Sequence, residues 1–581
     1  MDSPFPKETI SADFCVVGGG IAGMTMALEC ARAGFRVVLM HDRPVPGGNA
    51  SGECRVQISG ADRLGQLPDL RETGILEELR LENCRINPNG SYSVWDMVLW
   101  SALETEPNLQ VLYNCSCRAA AVTGSRIETV TGWQTTTQKE ITVAAKLFAD
   151  CSGDAVLAPL TGADFRVGRE ARGEFGETIG PETADRRTMG MSCIFQTRRC
   201  NTPQPFEKPA WAHTYCDDSE LPCGADGHAN LHEGYWWVEL GGECDSIADT
   251  EALRPELLKI LLGVWDHIKN RGDHGAEHLA LEWIQFLPSK RESRRYVGDH
   301  ILTQRDIEAG GRFPDTVAYG GWTMDDHNPA GFHSAALGEP VNIHHPAPSP
   351  YGIPYRCLYS RNLDNLFVGG RCVSVTHAAL SSTRVIGTCS TMAQAAGGAA
   401  AIALRRGISP REVGQRHLAE LQQLLLRRDC YLPGVRLELP ELAHARISGT
   451  GSTPEALRDG VTRVEGGALH QWRCRPGDQL TVEWDAPQHF RRISLIFESG
   501  MQRRIALVPG NPDCLRLPPE LAKAYRLEAR SEGRWRTLAE VSANARRRAV
   551  HPAEAPFDAL RLTLLETYGA AETGLHALLA E

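Results

Sequence analysis

The residues with the clearest chemical meaning are the glycines of GGGIAG at 18–23, which have the spacing of a loop that holds a pyrophosphate. Gly18 permits a tight turn, Gly20 lets the backbone approach the phosphates, and Gly23 lets the following helix pack closely. An apolar strand at 14–17 before the loop and a second strand at 36–40 after it predict the strand–helix–strand order that makes this motif specific. The stretch therefore predicts a dinucleotide site.

The end of the second predicted strand is unusual. A carboxylate normally stands there and accepts hydrogen bonds from the adenosine ribose. Here His41 occupies the position and Asp42 follows it. Either Asp42 reaches the ribose through a small shift in register, or His41 makes one hydrogen bond instead, or Asp42 only forms the turn before Arg43. We expect Asp42 to bind, because an ionised carboxylate accepts from both hydroxyls.

Three further segments favour FAD over NAD. A second glycine turn, RPVPGGNASGE at 43–53, follows the second strand, which a long flavin dinucleotide needs and a simple dehydrogenase does not. Segment 144–158 is an apolar strand that ends in DCSGD, and 366–371 is a strand that ends in GGR. A long helix is expected to start near Ser382, with its positive end directed at the flavin ring.

Histidines and arginines are the candidate catalytic groups. Oxidation of an alcohol by a flavin needs a base for the hydroxyl proton and cations that hold the substrate. His327 lies in a turn-like TMDDHNP segment, His377 just before the flavin-facing helix, and Arg384 in the first turn of that helix. Arg291 belongs to a basic KRESRR cluster. Each of them could instead be a structural pair or part of a solvated surface.

Composition restricts the class of partner. Lys and Arg number 61 against 72 Asp and Glu, a net charge of −11, which argues against nucleic acid. The N-terminus lacks the features of a signal peptide, and no apolar run could span a bilayer, so a cytoplasmic location without membrane contact is expected. The eighteen cysteines are scattered with no CxxC, which predicts buried thiols and no metal site.

With these segments in place, residues 12–405 resemble the FAD-dependent oxidoreductase family of the glutathione-reductase-type flavoprotein superfamily. The resemblance includes GREARGEFGE at 168–177, GYWWVELGG at 234–242 and YGGWTMDDHNPAG at 319–331. It implies bound FAD but no particular substrate. The cofactor contacts that it implies are Gly18, Gly20, Gly23, Asp42, Gly48, Asn49, Arg55, Asp154 and Arg371. Arg43, Gly370 and Thr383, which lie in the same segments, are further candidate contacts.

The predicted fold class is α/β, with an inserted α+β cap and a separate antiparallel β-sandwich. We expect an FAD-binding domain at 1–154 and 361–433, a substrate cap at 155–360 and the sandwich at 434–581. Period-two alternation in QLTVEWDA and RRISLIFES, and a hairpin around Glu532-Gly533, indicate the sandwich. It resembles galactose-binding-like, discoidin-type domains, so sugar binding is one hypothesis and a dimerisation or lid role another.

The predicted activity is removal of hydride from a carbinol carbon of a polyhydroxylated, sugar-like molecule, with His377 or His327 as base. The alternatives are a reductase of an unsaturated acid, a monooxygenase, or a flavin-containing protein that binds glycans through its sandwich. The expected partners are a small-molecule substrate, with a sugar or glycoside as one class, an unknown electron acceptor and, as an option, further copies of the chain. A second GxGxxG after a strand is lacking, which disfavours a dedicated NAD(P)H domain.

Overall fold

The computed structural model describes residues 4–508 and 511–581. Its first part contains the predicted strand–helix–strand unit. The elements of this part are β1 (Lys7–Val17), α1 (Ile21–Arg32), β2 (Val37–Met40), α2 (Ile75–Ile86), α3 (Tyr92–Glu104), β3 (Leu109–Leu112), β4 (Cys115–Thr123), β5 (Arg126–Gln134) and β6 (Lys139–Asp150).

The main sheet has the strand order β3-β2-β1-β6-β5-β4. Strands β3, β2, β1 and β6 are parallel, whereas β5 is antiparallel to both β6 and β4. The parallel part is buried on both faces, which explains why residues 14–17 and 37–40 are apolar without alternation. Because parallel strands end at the same edge, Val17 and Met40 finish side by side where the glycine loop begins.

Segment 155–360 is built from short antiparallel sheets around one long helix. Its elements are α4 (Leu157–Thr161), β7 (Phe165–Arg166), α5 (Arg172–Phe175), β8 (Met191–Ser192), β9 (Phe195–Arg199), β10 (Glu239–Leu240), α6 (Thr250–Asp266), β11 (Leu279–Ile284), β12 (Ser289–Lys290), β13 (Arg295–Tyr296), α7 (Gln304–Glu308), β14 (Thr316–Gly320), β15 (Met324–His327), β16 (Asn342–His345) and β17 (Tyr351–Pro354). Phe195, Trp237 and Trp265 belong to a separate apolar core in this segment.

The chain then returns to the main sheet through β18 (Leu366–Val368), which pairs in parallel with the last residues of β6. Four helices follow: α8 (His377–Thr383), α9 (Ile386–Arg406), α10 (Pro410–Arg416) and α11 (Leu418–Arg427). Helix α9 packs against α1, and its small residues let the two backbones come close.

The prediction of one long helix from about Ser382 is wrong, because two helices stand there. Helix α8 begins at His377, with the Thr376 hydroxyl accepting a hydrogen bond from the N–H of Ala379. Val385 is extended, with φ −65° and ψ 145°, and Arg384 lies between the helices rather than in a first turn. The next two helices, α10 and α11, are likewise separated, at His417.

The C-terminal part is an antiparallel β-sandwich, as predicted. Its strands are β19 (Arg446–Gly449), β20 (Trp472–Cys474), β21 (Gln479–Gln488), β22 (Arg492–Phe497), β23 (Ala522–Ser531), β24 (Arg534–Val541), β25 (Arg548–Pro552), β26 (Phe557–Thr567) and β27 (Thr573–Ala580). The two sheets have the orders β19-β21-β26-β23-β24 and β20-β27-β22-β25. The alternation of β21 buries Leu480, Val482 and Trp484, and the β23–β24 hairpin turns at Glu532-Gly533, both with positive φ.

The sandwich is joined to the rest of the chain by apolar and ionic contacts. Ile496, Ala577 and Leu579 belong to the same apolar core as the main sheet. The buried Arg547 guanidinium donates from Nε to Asp429 Oδ2 at 2.9 Å, just after α11. The division into three domains remains a prediction. None of the described helices is both long and apolar enough to cross a membrane.

Candidate active site

The first glycine loop has two glycines that the protein itself requires. Gly18 has φ +103°, and a Cβ on it would lie 2.4 Å from the Cys151 carbonyl carbon. A Cβ on Gly23 would lie 1.7 Å from the Gly18 oxygen. Gly20 differs, because a Cβ there would find no protein atom nearer than the Gly48 Cα at 3.9 Å. The protein leaves open space at Gly20, which suits a phosphate group.

The second glycine turn lies against the first. The Gly47 N–H donates to the Gly19 carbonyl at 2.8 Å, which links the two turns. Gly48 has φ +58°, and a Cβ on it would approach the Gly20 Cα to 3.0 Å. Asn49 donates from Nδ2 to the Lys290 carbonyl at 3.2 Å. Together the two turns form a cradle of backbone with very few side-chain atoms, as a bound pyrophosphate needs.

His41 has a structural role that distinguishes it from Asp42. The Gly19 N–H donates to His41 Nδ1 at 3.0 Å, so Nε2 carries the proton and donates to the Val45 carbonyl at 2.9 Å. Burial lowers the pKa of this histidine, in keeping with a neutral ring. Both of its nitrogens are used, whereas the Asp42 side chain is 61% exposed. The geometry favours Asp42 as the ribose ligand.

Buried polar atoms mark the inner end of the cradle. Asp154 Oδ2 accepts from Lys290 Nζ at 2.7 Å, and its Oδ1 lies 3.7 Å from Arg371 Nη2. Burial raises the pKa of Asp154, but Arg371 and Lys290 outweigh it and hold the pKa low. Asp154 Oδ1, Arg371 Nη1 and Thr383 Oγ1 are buried without a hydrogen-bond partner among the described residues. Such a donor and acceptor set fits the polar groups of a flavin dinucleotide.

Gly370, Arg43 and Arg55 lie around the same cradle. Gly370 has φ +73°, and a Cβ there would meet Ala22 at 3.3 Å. Arg43 contacts Cys54, with 3.6 Å between Nη1 and Sγ. The Arg55 guanidinium lies over the rings of Tyr92 and Trp283 and donates to Gln196 Oε1 at 2.8 Å, which ties its loop to segment 155–360. Cofactor contact by these three residues remains a prediction.

Three of the candidate catalytic residues meet through two buried carboxylates. His327 Nδ1 lies 2.7 Å from Glu239 Oε2, and His327 Nε2 lies 3.3 Å from Asp325 Oδ2. Arg291 pairs with the same Glu239 oxygen at 3.2 Å. Arg384 donates to Asp325 Oδ2 at 3.0 Å. Four segments that are far apart in the chain therefore supply one ionic cluster.

The carboxylates of this cluster are ionised. Burial raises the pKa of Glu239, but Arg291 and His327 outweigh burial and lower it. The pKa of Asp325 is held far below its usual range, because the effects of His327 and Arg384 exceed that of burial. His327 was predicted to lie in a turn, and that prediction is wrong. It lies at the end of β15, where it is paired with Asn342 of β16. This pairing holds Asp325 and His327 on one face of the strand.

His377 also lies between two carboxylates. Its Nδ1 lies 2.8 Å from Glu292 Oε2 and its Nε2 3.0 Å from Asp326 Oδ1. Burial lowers the pKa of His377, but the two carboxylates outweigh it and raise the pKa to about 10. The ring is therefore an imidazolium at neutral pH and donates from both nitrogens. This argues against His377 as the base in the resting enzyme.

Glu239 was not among the candidate residues predicted from the sequence, although it lies in the GYWWVELGG motif. Glu239 is buried between Val238 and Leu240 in an apolar stretch. A buried carboxylate needs a charged partner. A lone glutamate within an apolar stretch is therefore a signal that could have indicated Glu239 as a site residue. The neighbouring Trp236 is 37% exposed, and its ring lies edge-on to His327 with 5.4 Å between centroids. An indole at this position offers an apolar surface beside the ionic cluster.

The fold and the site describe a flavoprotein oxidoreductase, and the comparisons agree. The model of the FAD dependent oxidoreductase family matches residues 13–425, so the chain belongs to that family. It is an FAD-dependent enzyme. Comparison with curated proteins finds no match.

Solved structures resemble separate parts of the chain. The p-nitrophenol 4-monooxygenase PnpA from Pseudomonas putida DLL-E4 is 12% identical and covers 72% of this chain and 86% of its own, with a TM-score of 0.32. The family 32 carbohydrate-binding module from Streptococcus pneumoniae EndoD is 12% identical and covers 24% of this chain and 97% of its own, with a TM-score of 0.20. These TM-scores are too low to support any inference about activity.

Proposed function

We propose that this enzyme is a dehydrogenase that oxidises a hydroxyl group of a small polyhydroxylated molecule, such as a sugar or glycoside, with His327 as the base. The observation that carries the proposal is the cluster of His327, Arg291 and Arg384 around Glu239 and Asp325. A site lined by ionised carboxylates and fixed cations offers both acceptors and donors to several hydroxyl groups. Trp236 offers the apolar face against which a sugar ring packs.

His327 is the better of the two proposed bases. Its Nε2 contact with Asp325 is long, 3.3 Å, and Arg384 already holds the same carboxylate oxygen at 3.0 Å. A substrate hydroxyl can therefore replace this contact, and in the enzyme form whose His327 ring is neutral, with the proton on Nδ1, it passes its proton to Nε2. Glu239 orients the ring through Nδ1 at 2.7 Å and stabilises the imidazolium that forms.

The remaining groups hold charge in place. FAD, when bound, supplies the hydride acceptor, N5 of its ring. His377, as an imidazolium, keeps Asp326 and Glu292 fixed and supplies positive charge beside Asp325's strand. Arg291 donates from Nη2 to the Trp236 carbonyl at 3.0 Å, so it also positions the indole.

The test is anaerobic reduction of the bound FAD by a panel of aldoses, polyols and glycosides. The reduction is monitored as the loss of oxidised-flavin absorbance. The parent should be reduced by at least one of them. His327→Asn should slow that reduction by a factor of about 10²–10⁴ while FAD remains bound. His417→Asn is the matched control, since His417 also contacts a carboxylate, Glu420, but on the surface of α11.

Other results would reject the proposal. If no hydroxyl compound reduces the flavin, and an unsaturated acid instead reoxidises the chemically reduced enzyme, the enzyme is a reductase. If NADPH reduces it only when a phenol is present and oxygen enters the product, it is a monooxygenase. If a substrate alcohol reduces the His327→Asn enzyme at the parent rate, the base is another group.

A further inference from the structure

A second cluster of titratable side chains lies in segment 155–360, and it shares no residue with the candidate active site. It consists of Asp218, His228, His267 and His274, whose ligand atoms all lie within 4.8 Å of one another. Asp218 and His228 are in short 3₁₀ turns, Asp218–Glu220 and Gly224–His228. His267 directly follows α6, at the start of a π-helical turn, and His274 lies in the loop before β11.

The distances within this cluster resemble the edges of a coordination tetrahedron. Asp218 Oδ1 lies 2.7 Å from His267 Nε2 and 3.2 Å from His228 Nε2. His228 Nε2 lies 3.3 Å from His274 Nδ1. Tetrahedral Zn²⁺ with bonds of about 2.0–2.1 Å places neighbouring ligand atoms about 3.3 Å apart. Two of these three distances already have about this length, and the third, 2.7 Å, must lengthen by about 0.6 Å to reach it.

The hydrogen bond on the outer side of His267 orients its ring for a metal. Its Nδ1 lies 3.1 Å from the Tyr215 carbonyl, which can only accept, so Nδ1 carries a proton. In the neutral ring, Nε2 then points a lone pair at the Asp218 carboxylate 2.7 Å away. Two such electron-rich atoms repel unless a proton or a metal ion is shared between them, and the other two histidines of the cluster supply further ligands for a metal ion. A backbone carbonyl behind the ring is the usual support of a metal-binding histidine.

The surroundings of His228 point to the same centre. This imidazole is 3% exposed, and among the residues that the structure describes its hydrogen-bond and ionic partners are the other members of the cluster. The rings of His267 and His274 lie 5.5 and 4.7 Å from it, centroid to centroid. Three imidazoles packed around one carboxylate are costly unless a shared positive charge compensates for their burial.

We infer that Asp218, His228, His267 and His274 bind a zinc ion with a structural role. Three imidazoles and a carboxylate suit Zn²⁺, and four protein ligands complete its tetrahedral shell, as in structural sites. The ion joins the 215–230 segment to the end of α6. Trp236 and Glu239 lie a few residues after that segment, so the metal also restrains the backbone that carries these two side chains. No metal site was predicted from the sequence, because the cysteine spacing lacks a metal-binding pattern and these four ligands are far apart in the chain.

The test measures zinc in the full-length FAD-containing protein, without a histidine tag, by mass spectrometry of the metal. The parent, expressed with added zinc and then desalted, should hold about one Zn²⁺ per chain. His228→Ala combined with His267→Ala should reduce the zinc content at least tenfold. The matched control is His213→Ala combined with His333→Ala, which removes two exposed histidines of the same segment and should retain the parent content.

A second measurement does not depend on the folding of variants. Co²⁺ added to the parent, after treatment with a chelator, should produce the intense visible absorption of a tetrahedral site, and Zn²⁺ should abolish it. If the parent holds no stoichiometric zinc and develops no such absorption, the four residues form a hydrogen-bonded cluster only and the inference is wrong. It is equally wrong if the His228→Ala, His267→Ala protein keeps its zinc, because the metal would then bind elsewhere.

Discussion

The two glycines at 20 and 23 should respond differently to the same substitution. Gly23→Ala places a Cβ 1.7 Å from the Gly18 carbonyl oxygen, about half of an ordinary contact distance, and the oxygen that it meets belongs to the backbone and cannot rotate away. Gly20 has φ −65° and ψ 174°, which alanine adopts without strain, and the nearest protein atom to its Cβ is 3.9 Å away. The first change therefore damages the protein, and the second changes only the space left for a ligand.

The magnitudes follow from these contacts. Overpacking that the backbone must relieve costs about 1–3 kcal/mol or more, and Gly23→Ala lies at the upper end. Gly20→Ala should change the free energy of unfolding of the FAD-free protein by less than about 1 kcal/mol, the loss associated with a weaker helix N-cap. If the pyrophosphate lies against Gly20, losing a hydrogen bond to that charged group costs about 1.5–3 kcal/mol. FAD should then bind about 10- to 150-fold more weakly.

The assay has two parts, urea unfolding of the FAD-free proteins and titration with FAD followed by flavin fluorescence. Gly173→Ala is the control, since its Cβ would lie in open space in the first turn of α5. It should match the parent in both measurements. If Gly20→Ala binds FAD as tightly as the parent, the pyrophosphate is not at this loop. If FAD-free Gly23→Ala is as stable as the parent, the steric reasoning fails.

Two further predictions concern buried charges. The pKa of His377 is raised to about 10 from a usual 6.5, so its protonation stabilises the fold fully below pH 6.5, and that stability is lost as the pH rises through 10. Unfolding followed from pH 6 to 10 should show this loss in the parent and not in His377→Asn; equal pH profiles would contradict it. Arg547→Met leaves the buried Asp429 carboxylate without its charged partner and should lower the free energy of unfolding by about 3–5 kcal/mol. Arg546→Met, at a more exposed pair, should cost less than about 1 kcal/mol, and equal losses in the two variants would refute the argument.

The candidate site is a set of paired charges, and this affects how mutations there should be interpreted. Each of the nominated histidines contacts two carboxylates, so removal of one ring leaves buried negative charge without compensation. Such a variant loses stability as well as activity. Rates should therefore be compared per mole of bound FAD, with asparagine used in place of alanine, since it can still donate one hydrogen bond.

The sequence alone determined the features that depend on neighbouring residues. The spacing of Gly18, Gly20 and Gly23 predicted the turn and the strand–helix–strand unit, because positive φ and close backbone approach admit only glycine. Alternation along β21 predicted a strand with one buried face, and Glu532-Gly533 predicted a hairpin turn. The family, the cofactor and the sandwich were predicted correctly from such local patterns together with the resemblance that they supported.

Only the tertiary structure decided which charges meet and in which protonation state. Glu239 and His327 are 88 positions apart, and His377 and Glu292 are 85 apart. No local pattern could pair them, because strand pairing and packing bring them together. The pKa of His377 follows from that pairing, since burial alone would lower it and two carboxylates raise it. The break between α8 and α9 has the same origin, because the Gly387 N–H at the start of α9 donates to the distant Ser59 carbonyl.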